Sequence, residues 1–204
     1  HSKPRLIIGS SKLNDFSHLK NYKDRFDCYL YDYNEPDDLK RLNNQLEEII
    51  NIKAEINKKL SGVSFGDRDD LEKLKEKHEE LRSIEIDSAI ICLDEVGTFS
   101  SLKAPPRIDT RTKDEEVKQR YFKALSHHSE KVRFVENVTK LANTIRYLGI
   151  KMIYINQIAL QDSNILHGSL INLKFYARVS STFSKLEFGS DIASSSQLKK
   201  GRFI

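Results

Sequence analysis

Five small or apolar residues, Ala89-Ile90-Ile91-Cys92-Leu93, run straight into two carboxylates, Asp94-Glu95. This stretch limits the fold more than any other. An unbroken apolar run suits a strand buried on both faces, as in a parallel sheet covered by helices. Open α/β sheets bind ligands in the loops at the carboxyl ends of such strands. An Asp at that end can hold Mg²⁺, directly or through water, and a Glu beside it can orient or deprotonate a water. A second reading of the same residues is a buried strand whose acidic end caps the next turn.

The rest of the chain agrees with alternating strands and helices. Leu6–Ile8 reads as a short buried strand broken by Gly9-Ser10-Ser11, and Phe26–Tyr31 as a second strand rich in aromatics. Asn34-Glu35-Pro36-Asp37-Asp38 reads as a helix start, with Asn34 as a candidate cap, Pro in the first turn and acids at the positive dipole end. Leu39, Leu42, Leu46, Ile49, Ile50, Ala54 and Ile56 then recur at helical spacing, and glycines break the pattern within Ser61–Asp67. Asp70–Arg82 predicts a charged helix, Gly97–Thr112 a loop around Pro105-Pro106, and Asp114–Leu125 and Glu130–Leu148 two helices, the second ended by Gly149. Lys151–Ile155 and Phe175–Val179 predict further strands, Ser184–Phe188 and Ala193–Leu198 short helices. This alternation predicts a three-layer α/β domain with a mainly parallel sheet.

At 204 residues the chain is long enough for one sizeable α/β core. The net charge is +4, from 34 basic and 30 acidic residues, which permits nucleic-acid contact without arguing for it. Cys28 and Cys92 lie far apart in apolar segments and read as reduced, buried thiols. No C-x-x-C or His-rich metal spacing occurs, and His127-His128 reads as solvated. No signal peptide or membrane-spanning run is present. His1-Ser2 reads as a tag remnant, and the abrupt ends predict an excised piece of a larger protein.

Gln157 closes the strand that begins at Lys151, about sixty residues after Asp94. If the two strands share a sheet, Asp94, Glu95 and Gln157 meet at its carboxyl edge. A carboxamide there can bond a phosphate oxygen and the attacking water; a polar strand terminus satisfied by backbone is the alternative. The hydrophobic strand ending in Asp-Glu is the Walker B pattern of nucleoside triphosphatases. Further along stand Thr144–Lys151, with Arg146 and Gly149, then Ser169-Leu170-Ile171-Asn172, Arg178-Val179-Ser180-Ser181 and Leu198-Lys199-Lys200-Gly201-Arg202-Phe203-Ile204. In this order the segments resemble the motor domain of the FtsK/SpoIIIE family of DNA translocases. The resemblance is specific from Ala89 onward. Ser10-Ser11-Lys12 stands where that family has Asp-x-Lys, and Asn156-Gln157 where it has Thr-Gln.

The resemblance implies a RecA-like P-loop NTPase core over residues 3–204, incomplete at its N-terminus, with 61–83 and 103–130 as insertions or long connections. It implies that Asp94 holds Mg²⁺ through water, Glu95 is the catalytic base, Gln157 senses the γ-phosphate and Arg146 is an arginine finger acting across a subunit interface. The bland alternative for Arg146 is a surface arginine near a helix C-terminus. It also implies ATP and Mg²⁺ as cofactors of the parent, a hexameric ring, double-stranded DNA as cargo and transfer machinery as partner. The parent is then a conjugative coupling protein on the cytoplasmic side of the membrane, anchored through a segment not in this chain. Arg107, Arg111 and Lys113 are candidate phosphate contacts in the long loop, or solvated loop charges.

The departures are specific. No Gly-x-x-x-x-Gly-Lys-Ser/Thr loop occurs, and Gly9-Ser10-Ser11-Lys12 is too short to replace it. Without that backbone cradle the chain alone is expected not to bind or hydrolyse ATP. Two other readings stay open: a type VII secretion-like ATPase that moves proteins, and a degenerate ATPase-like docking or scaffold module.

Overall fold

The structure, a computed structural model, describes residues 3–59, 71–82, 88–99, 102–109, 111, 114–145, 148 and 150–155. Four strands, β1 (Arg5–Ser10), β2 (Asp27–Asp32), β3 (Ala89–Leu93) and β4 (Lys151–Tyr154), form one sheet in the order β2-β1-β3-β4. Every pairing is parallel. Three helices accompany them: α1 (Pro36–Lys59), α2 (Leu71–Lys77) and α3 (Glu115–Thr144). This is an α/β fold with an all-parallel sheet, consistent with a RecA-like P-loop core. Among the described residues no helix is long and apolar enough to cross a membrane.

Strand alternation sends Ile7, Ile91 and Leu93 to one face, where α1 and α3 pack. Leu39, Leu42, Leu46 and Ile49 of α1 and Phe134, Val138 and Leu141 of α3 are all fully buried there. Each such side chain contributes about 1.5–3 kcal/mol by leaving water. Ile8 and Cys92, on the opposite face, are buried as well, so both faces of the two central strands are covered. That explains the unbroken apolar run of β3.

The helix ends follow the local chemistry. Pro36 opens α1, with Asp37 and Asp38 in its first turn and Lys58 and Lys59 in its last. Asp114 caps α3, its Oδ1 accepting from the backbone N–H groups of Glu116 (3.0 Å) and Val117 (3.1 Å).

Several expectations are corrected. Gly9 and Ser10 belong to β1 rather than breaking it, because Gly9 still pairs with both Tyr31 and Leu93. Asn34 does not cap α1: its amide donates to the Ser11 carbonyl at 3.3 Å. The two helices expected around residue 128 are one helix of 30 residues; Ser126–Ser129 contains no glycine or proline to end it. His127 is not solvated, since its Nε2 lies 2.9 Å from the Tyr33 carbonyl. The helix expected over 70–82 breaks at His78, whose extended backbone separates α2 from a 3₁₀ turn at Glu79–Leu81. A 3₁₀ segment spans Leu13–Tyr22; it buries no residue and so carries no apolar period to read in the sequence. Another 3₁₀ turn, Val96–Phe99, occupies the start of the expected loop. The elements predicted beyond Ile155 lie outside the described residues.

Candidate functional site

Asp94 and Glu95 follow β3 directly at the carboxyl edge of the sheet. The ladder extends one step past the strand, with Asp94 N donating to Gly9 O at 2.9 Å. Parallel pairing with β1 therefore sets Ser10, Ser11 and Lys12 opposite the two carboxylates. Ser10 Oγ donates to Asp94 Oδ2 at 3.0 Å and accepts from Lys12 N at 2.9 Å. Ser11 Oγ donates to Glu95 Oε2, and Lys12 Nζ to Glu95 Oε1.

Glu95 sits in a left-handed backbone conformation, with φ of 56°. This is a costly state for a residue with a Cβ and persists where surrounding contacts fix it. The turn after it is anchored by an aromatic cluster in which Tyr33, Phe99 and Phe134 meet pairwise at 5.1 Å between centroids. Tyr33 also lies over Gly9. A Cβ at Gly9 would stand 2.6 Å from a Tyr33 ring carbon and 2.9 Å from Leu42 Cδ2, so only glycine fits under that ring.

The electrostatics favour an ionised Glu95 at this edge. Hydrogen bonds from Lys12 and then Ser11 hold the Glu95 carboxyl below its ordinary range, against the opposing effect of burial. The Lys12 ammonium is raised in turn, first by its hydrogen bond to Glu95. Burial pushes the Cys92 thiol up to about 11, so it is an inert core thiol rather than a nucleophile.

Of the residues singled out in the sequence, Asp94 and Glu95 lie together at the sheet edge. Arg107 and Arg111 are exposed on the segment that follows, and Arg111 N donates to Asp109 Oδ1 at 2.9 Å. Gln157, Arg146 and Lys113 lie outside the described residues. β4, which leads toward Gln157, pairs directly with β3. In the sequence Ser10, Ser11 and Lys12 align with the family's Asp-x-Lys, with no chemical role assigned to them at this edge. Their signal was only positional, in the strand-then-Ser-Ser-Lys order at the end of β1.

The donor set suits a hard divalent cation held together with phosphate. Asp94 is half-buried, with one oxygen on a serine hydroxyl that is itself an oxygen donor. Mg²⁺ binds through one or two carboxylates plus waters and substrate phosphates, not through a dense protein cage. Among the described residues no cluster of three His, Cys, Asp or Glu side chains forms such a cage.

No family model matches the chain, and no curated protein matches it. A solved structure does: the pCW3 conjugation coupling protein TcpA, in its monomer form with ATPγS, with a TM-score of 0.59 and 17% identity. The match covers 98% of this chain. This chain shares the fold of a conjugation coupling protein. At that identity the likeness speaks for fold alone. The chain spans about half of that structure, 48% of its length.

Proposed function

We propose that this chain is part of an ATP-driven, ring-forming, FtsK-like motor that moves double-stranded DNA in conjugative transfer. One observation carries the reading: Asp94 and Glu95 stand at the carboxyl edge of a parallel sheet, faced by hydroxyl and ammonium groups from the neighbouring strand. The shared fold with a coupling protein supports it.

In this reading Mg²⁺, when bound with nucleotide, supplies charge for the phosphoryl oxygens. Asp94 would hold that ion, with Ser10 fixing the carboxylate's orientation. Glu95 orients the attacking water and takes its proton. Gln157, beyond β4, contacts the γ-phosphate, and Arg146 reaches a neighbouring subunit's site. Arg107, Arg111 and Lys113 touch DNA phosphates, giving salt-sensitive binding that reads no bases. The glycine-rich phosphate loop comes from the longer protein, and its strand adds beside β4, which among the described residues pairs only with β3.

Titration calorimetry tests this division of labour. Mg·ATP should bind the longer protein and show negligible affinity for these 204 residues alone. Micromolar binding by the chain itself would refute the division. A longer protein with no Gly-Lys-Ser/Thr loop before Lys3 would favour a docking or scaffold module instead.

A further inference from the structure

We propose that Ser11 and Lys12 are positioning residues for Glu95, and that Lys12 is the exchangeable one: it holds the carboxylate at rest and leaves it for a phosphate group of an incoming ligand. The inference rests on the reading of Glu95 as the water-orienting base.

Both Glu95 oxygens are engaged, Oε2 by the Ser11 hydroxyl and Oε1 by the Lys12 ammonium. The Glu95 side chain is only 9% exposed. A general base needs an oxygen within hydrogen-bond reach of its water. In the observed arrangement Ser11 and Lys12 each occupy one of the two oxygens that such a water would use.

The two holders differ in freedom. Ser11 is short, and its carbonyl is tied to the Asn34 amide at 3.3 Å. The Lys12 backbone is fixed by the bond from its N–H to Ser10 Oγ, yet its side chain is 54% exposed. A lysine ammonium is a compact charge on a flexible stem and changes partner readily. A pair with a half-exposed cation adds little to stability, so folding alone does not account for it. Asp94 and Asp15 add to the negative field around Lys12. A phosphate arriving at this sheet edge is a further anion and competes with Glu95 for the same ammonium.

Lysine acylation of the longer protein, read by mass spectrometry, tests both halves. Lys12 should acylate several-fold more slowly in the native protein than in Glu95→Gln, with exposed Lys103 as the internal standard. Equal rates overturn the resting contact. In Glu95→Gln, adding Mg·ATPγS or duplex DNA should restore protection at Lys12, and the ligand that does so identifies the phosphate source. Protection by neither overturns the exchange. These readouts need no hydrolysis, so an inactive protein would defeat the motor reading while leaving the contact decided. With hydrolysis present, Lys12→Met should raise the DNA-free rate at least threefold and shrink the DNA stimulation, while Lys12→Arg keeps the native ratio. A proportionate fall of both rates in a folded Lys12→Met protein overturns the positioning role.

Discussion

Lys12 Nζ, just past the end of β1, donates to Glu95 Oε1, just past the end of β3, across 83 residues of sequence. The contact exists because β1 and β3 are adjacent and in parallel register, so their carboxyl ends reach the same edge. It sets a cation against the second of two carboxylates in the place where parallel sheets bind their ligands.

Gly9→Ala should destabilise the chain by about 1–3 kcal/mol, the usual range for overpacking a filled site. The new methyl meets the Tyr33 ring and Leu42, both buried in the core. Urea denaturation of the chain checks it; an unchanged midpoint would mean that Tyr33 does not lie over the strand.

How much of this was legible beforehand follows from the range of the interactions. β3 was legible because burial on both faces demands an apolar run, and the run stops where Asp94 meets the sheet edge. α1 was legible from Pro36, the acids after it and the leucine spacing. The roles of Ser11 and Lys12 were not, because they depend on strand order, and no local pattern states that β1 lies beside β3. The continuity of α3 was missed because polar residues at Ser126–Ser129 resemble a loop although none of them ends a helix. Nor does sequence mark the left-handed turn at Glu95, since glycine, the usual sign, is absent there.

A polar lattice ties α1 to α3. Asn43, fully buried, donates to the Glu130 carbonyl at 2.9 Å and to its carboxylate at 2.8 Å. Arg133 Nε donates to Glu47 Oε1 at 2.6 Å, and Asn137 to the same oxygen at 3.2 Å. Asn43→Ala should cost about 1–3 kcal/mol, because it leaves buried partners unsatisfied. A thermal melt unchanged from the native chain would contradict this.

The same lattice makes stability depend on acid. Arg133 beside it, then the Asn137 amide, hold the Glu47 carboxyl below its ordinary value. A carboxyl lowered on folding stabilises above its unfolded value, about 4.3 for Glu, and loses that contribution as pH falls through the folded value. Glu47→Gln should therefore flatten the decline in denaturation midpoint between about pH 5 and 3, by about 0.5–1 kcal/mol for a partly exposed pair. Parallel acid limbs for the two proteins would refute the assignment.

Asp114→Ala removes a cap that accepts from two backbone N–H groups of α3. The loss should be about 0.5–2 kcal/mol. Faster hydrogen exchange at the Glu116 and Val117 amides checks it, with Phe134, deep in the same helix, unaffected.

The central claim is that Glu95 activates water for phosphoryl transfer. Its most direct test is steady-state ATP hydrolysis by the proposed parent motor, with duplex DNA present, in native and Glu95→Gln forms. The account predicts a fall of about 10²–10⁴-fold, with Mg·ATP affinity retained. Hydrolysis within a few-fold of native in Glu95→Gln would contradict it.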